Sequence, residues 1–202
     1  MTVLLAGLSK KTEENVPGSL IREVIAGEAY YYKGYKDVIA GTIKAEEIMG
    51  SSALQSVLIM ALGFFIKSKL DNARYWLATN EAGLHLGPQN NLSIDLGIFR
   101  KEEVSLNNQY FTAAPEVAIE VDVRIDTDHD LDYIFSKSSV LIDHGTDTVV
   151  WVMTKHKKVM VIRKNEDSVI FDWNRDVIVM QHAPEPIILN LQTLIEAERI
   201  EY

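Results

Sequence analysis

Four residues of this chain have types and spacings that could do chemistry: Asp95, Glu120, Asp122 and Lys137. Asp95 lies in NLSIDLGIF (91–99), with the apolar Leu92, Ile94, Leu96, Ile98 and Phe99 around it. The strand looks largely buried, and an ionised carboxylate there is costly unless it is paired, hydrogen-bonded or bound to a cation. Glu120 and Asp122 lie in APEVAIEVDVRID (114–126), where Val117, Ile119, Val121, Val123 and Ile125 alternate with Glu116, Ala118, Glu120, Asp122 and Arg124. That is the period-two pattern of a half-buried strand. If the two strands are neighbours, their backbones lie roughly 4.8 Å apart. Asp95 and Glu120 could then clamp one hard cation such as Mg²⁺, which takes oxygen ligands at about 2.1 Å and often needs only one or two carboxylates. If they are not, the charged face of 114–126 is simply wet.

Asp122 sits on the Glu120 face, roughly 6.6 Å further along the strand. It is a further ligand, an acid hydrogen-bonded around the site, or a solvated charge. Lys137 falls at the rim of the next helix's apolar stripe, three residues after Ile134 and four before Leu141. Its ammonium could snorkel toward the sheet. There it could orient a water nucleophile or stabilise developing charge on a phosphoryl group. The alternative is an ordinary surface lysine.

The elements that must position these residues are readable from patterning. TIKAEEIMGSSALQSVLIMALGFFIKSKL (42–70) reads as helix, break at Gly50, then a second helix capped by Ser51 or Ser52. That second helix is apolar nearly all round, with Leu58, Leu62 and Phe65 along one side. It is a core helix under the sheet or one shared with an interface. DLDYIFSKSSVLIDHG (130–145) predicts a helix with Leu131, Ile134, Phe135, Ser138, Leu141 and Ile142 on one face and Gly145 ending it. Residues 148–154, 158–164 and 168–173 predict strands joined as antiparallel hairpins. ILNLQTLIEAERI (188–200) predicts a closing helix. GEAYYYKGYKDVIAG (27–41) carries Tyr30, Tyr31, Tyr32 and Tyr35 and reads best as strand or hairpin packing, ahead of an aromatic recognition surface. This order implies an α/β (α+β mixed) fold, a mixed central sheet flanked by helices.

The bulk numbers bound the function classes. The 202 residues suit one domain, spanning 1–202 with 1–26 the least defined. Hydrophobic residues make up 47% and charged residues 24%, a globular composition. Mean hydropathy is -0.01, and there is no apolar run of membrane-spanning length and no export-signal pattern. The absence of cysteine excludes disulfides and thiolate metal sites and fits a reducing cytoplasm. A net charge of -9 counts against nonspecific nucleic-acid binding. It still allows phosphate to be met through a divalent cation or a local basic patch.

Taken together, Asp95 in SIDLGIF, Pro115 and Glu120 in PEVAIEV, Lys137 and Gly145 in KSSVLIDHG, and Trp151 in VVWV resemble the Uma-type restriction endonuclease family of the PD-(D/E)xK nuclease superfamily. The resemblance runs from GEAYYYKG to the final helix. It implies a restriction-endonuclease-like sheet with helices on both sides. It also implies Asp95 and Glu120 as ligands of Mg²⁺ or Mn²⁺, Lys137 as the catalytic lysine, DNA as the substrate and a homodimer that cuts two strands. Glu46 and Glu47 are candidates for an additional acid near the metal. The chain departs from the pattern in three places. Ile94 stands where the motif has proline, Asp122 where the superfamily lysine usually falls, and Gln55 where relatives often carry histidine. The missing proline, the displaced lysine and the net charge of -9 favour the opposing expectation, a catalytically inactive nuclease fold acting as an interaction or nucleic-acid-associated module.

Other motifs read more plainly. DTDHDLD (126–132) lacks the central Gly and distal Glu of a calcium loop and reads as an acidic helix start. His129 and His144 have no ligand partner at metal spacing. Lys155, Lys157, Lys158, Arg163 and Lys164 could grip phosphates, but charged turns that keep an edge hairpin soluble explain them first. Trp151 and Trp173 are expected in the core.

Overall fold

The computed structural model describes residues 16–122, 130–183 and 185–201; of Asp122 and Asp130 it describes the backbone alone. Its centre is an eight-stranded mixed sheet. In chain order the strands are β1 (Ile21–Ile25), β2 (Glu28–Tyr31), β3 (Tyr75–His85), β4 (Asn91–Arg100), β5 (Val117–Asp122), β6 (Thr148–Met153), β7 (Lys158–Arg163) and β8 (Val169–Asp172). Their spatial order is β2-β1-β4-β5-β6-β7-β8, with β3 paired to β4 off this path. A separate ribbon pairs β9 (Asp176–Met180) with β10 (Ile187–Asn190). The helices are α1 (Tyr35–Ile39), α2 (Ala53–Lys69), α3 (Asp130–Asp143) and α4 (Leu191–Ala197).

The expected mixed sheet flanked by helices is present. All the neighbouring pairs are antiparallel except β5–β6, which is parallel. A parallel pair needs a crossover, and α3 supplies it. On one face, Leu58, Leu62 and Ile66 of α2 and Leu191 of α4 pack with Ile119, Val121, Val150 and Val152, joined by Val177 and Leu189 of the ribbon. On the other face, Tyr133, Ile134 and Leu141 of α3 pack with Ala118, Trp151 and Met160.

Several sequence expectations are corrected. Residues 188–190 are strand, not helix: Ile188 and Leu189 pair with Ile178 and Val177. The helix begins only after Asn190, whose side chain accepts from the backbone N–H of Thr193 at 3.1 Å. The expected helix before Gly50 is a single 3-10 turn over Ala45–Glu47. The tyrosine segment starts as the expected hairpin strand, with Tyr30 and Tyr31 in β2 paired to β1, but Tyr35 opens α1. Ser52, not Ser51, caps α2 by accepting from the Gln55 N–H. Along α2, Leu58 and Leu62 are buried as expected, whereas Val57, Met60 and Phe64 face out.

The buried stripe of α3 is rotated from the predicted one. It comprises Tyr133, Ile134, Lys137, Ser138, Val140 and Leu141, leaving Leu131 and Phe135 exposed. Polar pairing overrides the apolar periodicity. Trp151 donates its indole N–H to Ser138 Oγ at 2.9 Å, and Tyr133 and Lys137 find acids beneath them. Gly145 ends the helix region at φ +114, as its position predicts. Trp151 and Trp173 are in the core.

Candidate active site

β4 has two edges. β3 takes one along its length, from Tyr75↔Arg100 to His85↔Asn91. The other is shared: β1 meets it at Val24↔Asn91, and β5 meets it from Leu96↔Ile119 to Ile98↔Val117. The sheet therefore forks at the middle of β4, and Asp95 sits at the fork. Across the strand, Asn80 and Glu81 of β3 bulge opposite it, both at positive φ. The bulge turns the strand over. Ile94 packs in the core under α3, while Leu96, two residues on, packs in the core under α2.

At such a fork, backbone N–H groups lose their ladder partners, and leaving them unpaired would be costly. Two carboxylates take them up. Asp95 Oδ2 accepts from the N–H of Val121 at 2.7 Å, and Glu23 Oε1 accepts from the N–H of Ser93 at 3.0 Å and its hydroxyl at 2.9 Å. The β4–β5 register, continued by one pair, sets Asp95 opposite Glu120. The two strands are thus neighbours, and the Glu120 side is not wet: Asp95 and Glu120 are 4% and 2% exposed.

Lys137 comes down from α3 onto this pair and is wholly buried. It is not the rim lysine that the apolar stripe predicts, nor a surface one. Its ammonium donates to Glu23 Oε1 at 2.9 Å and to the Tyr133 hydroxyl at 3.1 Å. Glu120 Oε1 lies 3.0 Å from it as an ion pair, outside hydrogen-bond geometry. Tyr133 donates to the second oxygen of Glu23 at 2.9 Å. Three acids, one lysine and one tyrosine thus share a small dry volume.

The electrostatics follow from this crowding. Burial works against the Lys137 ammonium, but the Glu120 and Glu23 carboxylates outweigh it and hold the lysine well above its ordinary range. Burial also lifts Asp95, against the pull of the Val121 N–H, Lys137, Arg22 and Gln55. Glu120 rises to about 8, because burial and the neighbouring Asp95 and Glu23 charges exceed the attraction of one ammonium. Glu23 moves the other way: Lys137, Arg22 and the Ser93 N–H overcome its burial and lower it. One ammonium serves two acids, and Glu23 holds it better.

The structure brings Asp95, Glu120 and Lys137 together. It does not bring Glu46 and Glu47 into that group: both are exposed and turn to Lys44, Glu46 at 3.9 Å and Glu47 by accepting its N–H at 2.8 Å. The Asp122 side chain lies outside the described residues, as do Val123, Ile125 and His129. Gln55, at the start of α2, hydrogen-bonds to Asp95. Glu23 is the residue that sequence reading missed. The signal was there in IREVI, an acid between Ile21 and Ile25 on one strand face, the same anomaly that marks Asp95. In the basic hairpin, Lys158 pairs with Asp172 and Arg163 with Glu166. This supports the charged-turn reading.

Asp95 and Glu120 are hard oxygen donors facing each other across adjacent strands, and Glu120 Oε1 is buried without a hydrogen bond. Such a pair fits Mg²⁺ or Mn²⁺, which needs few protein ligands. Among the described residues there is no cluster of three or more acid or histidine side chains in metal-binding arrangement. Among them, too, no helix is long and apolar enough to cross a membrane.

No protein-family model and no curated protein matches the chain. Its fold is shared with a solved structure described as "a putative nuclease belonging to DUF820 from Anabaena variabilis ATCC 29413". The superposition covers 86% of this chain and 89% of that one, with a TM-score of 0.65 and 16% identity.

Proposed function

We propose that this chain is a metal-dependent nuclease that hydrolyses DNA phosphodiester bonds, with Asp95 and Glu120 as cation ligands and Lys137 as the catalytic lysine. The observation that carries the reading is the convergence of Asp95, Glu120 and Lys137 from β4, β5 and α3 on one buried point. A fold shared with a nuclease-described protein supports it. Bound Mg²⁺ or Mn²⁺ would supply Lewis acidity at the phosphoryl oxygen. The chain's own residues do the rest. Lys137 is held charged by its acids, so it acts as a fixed cation beside developing phosphoryl charge, not as a base. Tyr133, one turn earlier on the same helix, fixes the position of the ammonium.

Mn²⁺ calorimetry on the wild type, Asp95→Ala and Glu120→Ala tests the reading. Saturable binding that both substitutions abolish is expected. At pH 7 the heat depends on the buffer, because Glu120 must shed its proton to take a cation. Cleavage of DNA that Lys137→Met abolishes completes the case.

One observation favours a second reading, a catalytically inactive nuclease fold kept as an interaction module. The polar cluster is already internally paired, ammonium to two acids and carboxylates to backbone N–H groups. On that reading the wild type binds no Mn²⁺ with or without DNA, and Asp95→Ala changes stability alone.

A further inference from the structure

Glu23, Glu120, Asp95 and Lys137 are between 0% and 4% exposed. A phosphodiester cannot reach a lysine so enclosed unless part of the cover moves. α3 is tied at both ends, as the crossover between the paired strands β5 and β6. β4, β5 and β6 are interior strands. Among the described residues, the peripheral element over the cluster is the β1–β2 hairpin. It is peripheral in the sheet, and its ladder to β4 consists of the single pair Val24↔Asn91. Its two-residue turn, Ala26 and Gly27 at φ +50 and +82, is self-contained. The turn touches the body through two hydrogen bonds, Gly27 N–H to Gln89 O at 3.0 Å and Ala26 N–H to Asn90 Oδ1 at 2.7 Å. Its further contacts include Ile25, buried in the core under α3, Arg22 over the Tyr133 ring, and the site itself, Glu23 on Lys137, Tyr133 and Ser93 and the Tyr30 ring 5.3 Å from that of Tyr133.

We infer that the β1–β2 hairpin is a lid whose latch is the Glu23–Lys137 ion pair, and that it swings away as a unit to admit a phosphodiester to Lys137. The latch places a carboxylate of the chain where an anionic phosphate would otherwise meet the ammonium. Closure therefore occupies the lysine, and opening frees it. This rests on the nuclease reading for the identity of what enters, but not for the motion.

The chain has no cysteine, so a Val24→Cys plus Asn91→Cys variant carries one possible disulfide across a paired register, at a spacing that disulfides accept. Hydrogen exchange on the wild type and on Glu23→Gln needs neither DNA nor the crosslink. The N–H groups of β1, β2 and Ser93 are expected to exchange at least about tenfold faster than those of β5 and β6, and faster still in Glu23→Gln. Exchange of all these strands at one common rate overturns the lid. With the motion present, binding of a DNA duplex by the reduced crosslink variant but not by its oxidised form completes the inference. Equal binding by both forms overturns the hairpin as the entry route. If the reduced variant and the wild type both fail to bind DNA, the nuclease reading falls, and hydrogen exchange still decides the lid.

Discussion

The two faces of the central sheet are built on the same strands and are chemically unlike. Under α2 and α4 the buried side chains are almost wholly aliphatic, Leu58, Leu62, Ile66, Ile119, Val121 and Leu189 among them. Under α3 the core has comparable apolar anchors in Ile134, Leu141 and Trp151, yet it also encloses Glu23, Glu120, Lys137 and the Tyr133 hydroxyl. Stability does not account for that second composition. Replacing a buried ion pair with well-packed apolar side chains is often neutral or stabilising. The first face holds the fold by apolar packing; on the second, Glu23 and Asp95 also serve backbone N–H groups of the fork, but packing does not require the Lys137 ammonium. This is the physical ground for seeking chemistry under α3.

The sharpest way to break the comparison is to remove the buried ammonium of Lys137. Lys137→Met leaves Glu23 and Glu120 buried without their ammonium, and a loss of about 3–5 kcal/mol at pH 7 is expected in urea unfolding. A loss near zero would mean that the acids are not stranded without the ammonium, and the charged character claimed for this face would fall. On the aliphatic side, Leu62→Ala should cost about 2–5 kcal/mol by cavity formation, with no dependence on pH between 5 and 8. Lys137→Met should recover part of its loss at pH 5, where the stranded acids can protonate.

The pH dependence of the wild type is the next smaller effect when counted per pH unit. An acid raised to about 8 in the folded state holds a proton that the unfolded chain has released above about 4.5. Stability therefore falls as pH rises from about 4.5 to about 8, by up to about 1.4 kcal/mol per unit. Asp95, also raised, acts in the same direction from its own lower starting value. Glu23 is lowered, so its contribution is complete above about 4.5 and does not reverse this trend. Glu120→Gln should flatten the curve over that window, as read by chemical unfolding at several pH values.

A rim ion pair gives a smaller response than Lys137. Arg100 meets Glu116 at 2.6 Å, with the arginine side chain 38% exposed. Because Glu116 is itself buried and would lose its partner, Arg100→Met should cost about 1–3 kcal/mol. Smallest of all is Phe64→Ser on the outer side of α2. At 71% exposure the side chain contributes little, and the change should stay within about 0.5 kcal/mol.

Local pattern made much of this legible. The alternation in β5, the serine cap of α2 and the hairpins of β6, β7 and β8 are short-range signals that packing did not override. Asp95 and Glu120 were visible as acids in apolar strands. What local pattern could not carry was the fork in β4. It decides that Glu23 faces Lys137, and the two residues come from distant parts of the chain. The rotation of α3 was hidden for the same reason. Leu131 and Phe135 lose to Tyr133 and Lys137 only because acids from other strands lie beneath the helix. Residues 188–190 failed differently. Their apolar spacing suits a helix, and only the ribbon partner Asp176–Met180 makes them a strand.

The parallel β5–β6 pair also bears on how the molecule assembles. Glu120 and Lys137 belong to one strand–helix–strand unit and close a short loop when they meet. Val24 and Asn91 must close one of sixty-seven positions. Shorter closures cost less chain entropy and form earlier on average. The lysine is therefore expected to meet Glu120 first during folding and Glu23 last. Substitutions at Glu23 should then change the unfolding rate much more than the folding rate.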